Sequence, residues 1–230
     1  MVQINANDQS EAVTITTRPS GFYQGFNPVV ALMPKILVAA LILWVGLSPS
    51  AAGQVLLDVQ TWSTQNFGGW YVYVTAFYTI VCLTLGIWPR TAHVKLGQAG
   101  DAPEFSMFTW LSMMFGAGIG IGMLTYSTAE PIFHFANNPD TIKGLTTGLD
   151  EDNVRNAYKW AMLHYGLTPW ACYGVVGISL GYLSYNRGLP LTIRSALQPL
   201  FGRAMSGGFG HVVDIVAILA TIVGLSVTIG

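Results

Sequence analysis

Apolar runs long enough to cross a bilayer recur along the chain, separated by polar segments. A membrane-spanning helix needs roughly 20 mainly apolar residues. The first run goes from about Pro28 to Ser48, through ILVAALILWVGL, with Lys35 near one end where its stem can snorkel. The second covers about Phe67 to Trp88, with Trp70, Tyr71 and Tyr73 at its start, as an interfacial aromatic belt predicts. The third is about Phe105 to Thr128, the fourth about Trp160 to Tyr185, and the fifth about His211 to Gly230. The pattern predicts an all-α polytopic membrane protein with about five transmembrane helices. Residues 1–27 are polar and lack a charged region leading into an apolar one, so a tail is expected there and no cleaved signal peptide.

The loops orient the spans. Residues 49–66 hold no Lys or Arg, whereas 89–104 hold Arg90 and Lys95, and 186–209 hold Arg187, Arg194 and Arg203 with no acid. The long loop 132–159 sets Lys143, Arg155 and Lys159 against Asp140, Asp150, Glu151 and Asp152. The positive-inside rule then places the N-terminal tail, 89–104 and 186–209 in the cytoplasm of a cell membrane. LTIRSALQPLFGR, residues 191–203, is amphipathic and too short to span, which predicts an interfacial helix.

Composition agrees. Of 230 residues, 52% are hydrophobic and 9% charged, against about 25% charged in an ordinary soluble domain. The net charge of -1 supplies no basic field for nucleic acid. Cys82 and Cys172 sit in separate apolar stretches without CxxC or Cys/His spacing, so neither a disulfide scaffold nor a zinc site is expected.

Two patterns carry candidate chemistry. The third span contains Gly116, Gly118, Gly120 and Gly122 in FGAGIGIGML. G-x-G-x-x-G after a strand is not present, so this is no nucleotide fingerprint. Close helix packing normally uses four-residue spacing, whereas a spacing of two scatters glycines to opposite sides. Four such residues cost about 3–4 kcal/mol of helix propensity relative to alanine. A locally unwound segment, its backbone turned toward an ion or solute, is the more economical account, with plain packing as the alternative. In the fourth span, Tyr165, Tyr173 and Trp170 fall at about 0°, 80° and 140° on a continuous helix. Aromatic faces on one arc suit a quaternary ammonium cation, although belt or packing roles are common for such residues. Gly166 and Pro169 add a kink that opens this face.

Glu130 precedes Pro131 at the end of the third span, and Asp214 lies at one end of the fifth. Each suits a helix-end or salt-bridge role at least as well as a proton relay. His164 is expected as a satisfied core histidine. The sequence holds no catalytic triad, paired catalytic carboxylates or phosphate loop, so no enzyme and no cofactor are expected.

The runs MFTWLSMMFGAGIGIGMLTYSTAEP, HYGLTPWACYGVVGISLGYLSYNRGLPLTIRSALQPLFG and DIVAILATIVGLSVTIG resemble the betaine/choline/carnitine transporter family over about residues 25–230, including the RTAHVKLG segment. The resemblance implies about twelve spans, two leading helices followed by two inverted repeats of about five helices, of which this chain would hold the first part. It implies that Gly118, Ile119, Gly120, Ile121 and Gly122 run beside the bound solute. Backbone carbonyls of Gly116 and Ile119 would help hold sodium in sodium-coupled members. Tyr165, Trp170 and Tyr173 match the fourth-helix part of the box around the trimethylammonium head, with Tyr165 standing where the family usually has Trp.

Sodium-coupled relatives also place two threonines one turn apart in the fifth helix, where this chain has Thr221 and Leu225. Leucine offers no oxygen to a hard cation, which leaves single-site sodium coupling, proton coupling or ion-independent exchange. No other metal is implied. The expected function is secondary transport, by symport or exchange, of betaine-, choline- or carnitine-like quaternary-ammonium or related sulfonium osmolytes. The alternative is a membrane fragment or assembly partner without transport activity. A homotrimer follows from the resemblance alone. The final span breaks off at SVTIG without a hydrophilic flank, so the chain is expected to be the N-terminal piece of a longer transporter.

Overall fold

The computed structural model describes residues 13–97, 100–118 and 121–229. Its helices are α1 (Pro28–Leu47), α2 (Pro49–Ile87), α3 (Met107–Gly118), α4 (Ile121–Ala136), α5 (Pro139–Ile142), α6 (Val154–Tyr165), α7 (Leu167–Gly181), α8 (Ile193–Phe201) and α9 (Gly208–Ile229). Among the described residues there is no β-strand, only an isolated bridge between Arg18 and Gln24. By length and composition, α1, α2 and Gly208–Ser226 of α9 can cross a membrane. Their large apolar side chains, such as Ile42, Leu43, Val72, Ile80 and Val216, stand exposed, as hydrocarbon-facing residues do.

Several boundaries differ from the sequence expectation. Residues 49–66, expected as a loop, are the first half of the 39-residue α2. Its polar side chains do not break the helix because they bond within it. Thr64 Oγ1 donates to the Gln60 carbonyl (2.9 Å) and Asn66 Nδ2 to that of Trp62 (2.7 Å). At 1.5 Å per residue α2 is about 58 Å long, roughly twice a hydrocarbon core, so it reaches beyond the bilayer. The expected third span comprises α3 and α4, on either side of residues 119–120, and α4 continues past Thr128 to Ala136 with Pro131 inside it. The expected loop 132–159 is therefore largely helical. The fourth span is not one helix, because α6 stops at Tyr165 and α7 begins at Leu167.

The break falls at Gly166, whose φ of -75° and ψ of -139° leave the helical region. A Cβ there would collide with the Met162 carbonyl, so glycine is required for this turn. Pro169 falls in the first turn of α7, where its missing N–H costs no helical bond.

The chain divides into two units. The first comprises Met1–Val74, Val94–Gln98 and Val176–Val223. Here Asn27 caps α1 by accepting from the backbone N–H groups of Val29 and Val30, with Pro28 at the first helical position. Its amide also donates to the Thr16 carbonyl (2.8 Å) and meets His211 Nε2 (3.1 Å). One side chain thus ties the entry segment, α1 and α9 together. The amphipathic segment 191–203 does form a helix, α8, and its Arg194 and Ser195 are buried.

The second unit comprises Thr75–His93, Ala99–Val175 and Gly224–Gly230. In it α4 packs against α6 through a buried amide pair, Asn138 and Asn153. Asn138 Nδ2 donates to Asn153 Oδ1 (2.9 Å) and to the His134 carbonyl (2.7 Å), and Asn153 Nδ2 donates to the Phe135 carbonyl (2.7 Å). These bonds satisfy carbonyls at the C-terminal end of α4. The end of α2 meets α7 where Cys82 Sγ donates to the Ala171 carbonyl (3.5 Å), and a Cβ on Gly174 would lie 3.2 Å from that sulfur.

Candidate binding site

Trp170 and Tyr173 lie three residues apart on α7, one turn along the same face. Their ring centroids are 6.1 Å apart at 51°. Trp170 Nε1 donates to the Tyr165 carbonyl (3.2 Å), which holds the indole across the Gly166 break. Tyr165 is the last residue of α6, so its helical angle relative to Trp170 and Tyr173 does not follow from a continuous helix. Its ring lies 4.8 Å from that of His164. The tyrosine therefore approaches the indole through its backbone and the imidazole through its ring. Tyr173 is largely exposed and Trp170 is partly so, leaving aromatic surface available to a ligand.

Of the glycine segment, Gly116 lies within α3 and Gly118 closes it, while Ile121 opens α4 and Gly122 follows. Ile119 and Gly120 lie outside the described residues, as do the segment's carbonyl arrangement and the unwinding expected there. A Cβ on Gly116 would meet nothing within 4 Å. Thr221 sits in α9, where its hydroxyl donates to the Ala217 carbonyl (2.8 Å) and keeps lone pairs free. It borders a cavity of about 370 Å³ shared with Asp214 and Thr192. Leu225 follows one turn later, half-exposed.

The acids have definite partners. Asp214 forms a buried ion pair with Arg194, whose Nε donates to Oδ2 at 2.7 Å. Glu130 Oε1 lies between two imidazoles, His164 Nδ1 at 2.5 Å and His134 Nε2 at 3.3 Å. The Tyr165 phenol interacts with the same carboxylate. His164 is thus no core histidine: its side chain is 66% exposed, against 11% for Glu130. The sequence reasoning treated Glu130 and His164 separately and missed His134. The signal available was the four-residue spacing of Glu130 and His134 on one helix face. The pairing with His164 crosses 34 positions and has no local signature. Among the described residues no group of three His, Cys, Asp or Glu side chains could hold a metal ion.

Outside the spans, Asp140 binds Lys159 Nζ and accepts from Trp160 Nε1 (3.0 Å). The Lys159 hydrogen bond, with that of Trp160, holds the Asp140 carboxyl below the usual carboxylate value.

Helices of membrane-crossing length with lipid-type surfaces, and an aromatic pair on a broken helix, define an all-α polytopic membrane protein. Residues 29–230 match the betaine/carnitine/choline family of transporters, BCCT. The chain belongs to that family.

It is 41% identical over 171 residues to the high-affinity choline transport protein of Escherichia coli K12, covering 74% of this chain and 24% of that protein. It is 36% identical over 204 residues to the osmo-dependent choline transporter BetT2 of Acinetobacter baylyi, covering 89% and 29%. Against the glycine betaine transporter OpuD of Bacillus subtilis it is 34% identical over 194 residues, covering 84% and 37%. The chain thus spans about a quarter to somewhat over a third of the length of these relatives.

Proposed function

We propose that this chain forms part of a secondary transporter for small quaternary-ammonium osmolytes of the choline and betaine type, with related sulfonium compounds in the same class. The observation that carries this is the Trp170–Tyr173 pair within a chain of this family. A methylated ammonium cannot donate hydrogen bonds, so aromatic faces are the groups that can recognise its charge, at roughly 0.5–2 kcal/mol each. Tyr165, which the resemblance also implies for the box, holds the Trp170 indole through its carbonyl while its ring packs on His164. In this reading the Gly118–Gly122 segment runs beside the solute, as the family resemblance implies, and uptake or exchange proceeds by alternating access. The names of the relatives, choline and glycine betaine transporters, support the same solute class.

In the same proposal the transporter lies in the cell membrane with its N-terminus in the cytoplasm, as the loop charges favour. For sodium, the family resemblance makes the Thr221 hydroxyl one candidate ligand and, separately, the backbone of Gly116 and Ile119 others. Leu225 weakens a second sodium position.

The test replaces the matching segment of the Escherichia coli choline transporter with residues 29–230 and measures labelled choline uptake in cells lacking their own uptake systems. Saturable uptake that Trp170→Leu abolishes, with membrane insertion intact, is the expected result. Uptake with unchanged affinity in Trp170→Leu would overturn the box assignment. A chimera that inserts normally and carries no solute would favour a non-transporting role for the segment. Dependence on a sodium or a proton gradient, compared in the chimera and its Thr221→Val variant, separates the coupling modes.

A further inference from the structure

Tyr165 closes α6 and Leu167 opens α7, so the last carbonyls of α6 meet the break at Gly166. Were the two helices to run on as one, Met162, Leu163, His164 and Tyr165 would accept from the N–H groups of Gly166, Leu167, Thr168 and residue 169. The first three of those positions carry such a donor. The fourth is Pro169, which has none. However α6 and α7 bend about Gly166, the Tyr165 carbonyl therefore has no backbone donor in helical register.

That carbonyl is the one the Trp170 indole uses. Trp170 Nε1 donates to it at 3.2 Å, from five residues further along the chain. A carbonyl left open near hydrocarbon is costly, and so is an indole N–H without an acceptor. Each satisfies the other. We propose that Pro169 is a positioning residue of the aromatic box: by withholding the helical donor it reserves the Tyr165 carbonyl for the Trp170 indole, and so fixes the direction of the indole face. The proposal rests on the osmolyte-transporter reading above, and adds a residue that acts through the ring of another.

The indole needs such a tether because packing alone does not hold it. Trp170 is 42% exposed, and its ring partner Tyr173 is 73% exposed. Two side-chain torsions set the indole plane, and one hydrogen bond from Nε1 to a backbone atom constrains both. Cation–π attraction requires the charge to sit over the ring face within about 6 Å of its centre. An indole that swings freely must be ordered each time a solute binds, and that ordering weakens binding.

A proline in the first turn of a helix also has an ordinary use, which is to start that helix. That use depends on the pyrrolidine ring and its fixed φ, whereas the reserved carbonyl depends only on the missing N–H. Chemistry at one position separates the two. Alanine at 169 restores the N–H and removes the ring. An ester linkage, made by lactic acid in place of residue 169, has neither ring nor N–H, so it keeps the carbonyl reserved without the proline.

The first measurement reads the indole directly. The purified chain in detergent micelles is isotopically labelled at its tryptophan indole nitrogens for magnetic resonance, and Trp170→Phe assigns the Trp170 signal. Pro169→Ala is expected to shift the Trp170 N–H proton upfield and to speed its exchange with solvent, and lactic acid at position 169 to return both to the parent values. An unchanged signal in Pro169→Ala, or an ester variant that behaves like alanine, overturns the proposal. If Pro169→Ala does not fold by circular dichroism, the ester variant alone decides: a parent-like indole supports the proposal and a released one overturns it. The second measurement is choline uptake by the chimera described above. Pro169→Ala, and benzothienylalanine at position 170, which keeps the aromatic face but lacks the N–H, are each expected to raise KM about three- to tenfold with the maximal rate little changed. Together they do no more than either alone, and additive effects overturn the coupling. Uptake abolished by Trp170→Leu but with KM unchanged in Pro169→Ala overturns the role of Pro169 and leaves the box standing. Uptake indifferent to Trp170→Leu overturns the box itself, and with it this role for Pro169.

Discussion

Arg194 Nε donates to Asp214 Oδ2 at 2.7 Å in a buried ion pair that fastens α8 to the first turns of α9. Arg194 Nη1 also donates to the Met205 carbonyl (3.3 Å), so the guanidinium bridges helix, turn and helix. Removing one partner strands the other charge without water, which costs about 3–5 kcal/mol. Asp214→Ala and Arg194→Ala are therefore each expected to lower thermal stability sharply in detergent. The double variant Arg194→Met with Asp214→Leu restores much of the loss, because no unpaired charge remains. Additive effects of the two replacements would contradict this coupling.

The Asn138–Asn153 pair makes a second stability prediction. Asn138→Ala removes donors to the His134 carbonyl and to Asn153, and it uncaps α5. Buried polar groups left unsatisfied cost about 1–3 kcal/mol each. Asn153→Ala takes the acceptor from Asn138 Nδ2 and Thr146 Oγ1 and leaves the Phe135 carbonyl with the Leu149 N–H alone. Each variant is expected to lower the unfolding temperature and to loosen the loop 137–153, read as faster amide hydrogen exchange there. Exchange unchanged throughout 137–153 would show that the pair does not hold that segment.

Apolar period and length were enough to anticipate α1 and the apolar course of α9, because a helix in hydrocarbon needs no partner beyond its own backbone. A kink at Gly166 and Pro169 was also legible, but not that one helix ends at Tyr165 and another begins at Leu167. The helical state of residues 49–66 was not, because polar residues that would open a loop in water bond to carbonyls one turn back in α2. The same limit applies to the site. Trp170 and Tyr173 are near in sequence and share a face, whereas Glu130 and His164 meet only after α4 and α6 pack. A carboxylate and an imidazole far apart in sequence carry no periodic signal. Arg194 and Asp214 likewise looked like a cytoplasmic charge and a helix-end acid until the packing of α8 on α9 joined them.

Gly210, at the start of α9, sets a packing limit. A Cβ there would press on the Met205 backbone carbonyl and lie 3.1 Å from Arg194 Nη1. A carbonyl in a tight turn cannot move as a flexible side chain would, and overpacking of this kind costs about 1–3 kcal/mol. Gly210→Ala is expected to destabilise the chain and to weaken the Arg194–Met205 bond, whereas Gly208→Ala meets open space and is tolerated. Thermal unfolding of the two variants side by side is the measurement, and equal stability would argue against close contact at Gly210.

The Asp140 pair predicts a pH dependence of definite sign. The Lys159 hydrogen bond first, and that of Trp160 next, hold the carboxyl below its ordinary value of 3.8. A group whose value is depressed on folding stabilises the native state when ionised. That contribution is fully present above about pH 3.8 and is lost as the pH falls through the lower folded value. Asp140→Asn cannot ionise, so it lacks the contribution at every pH. The parent is expected to unfold at a higher temperature than Asp140→Asn at pH 7, with the gap closing progressively below about pH 3.8. A gap that persists unchanged into strong acid would show that the carboxylate charge plays no part in holding α5 to α6.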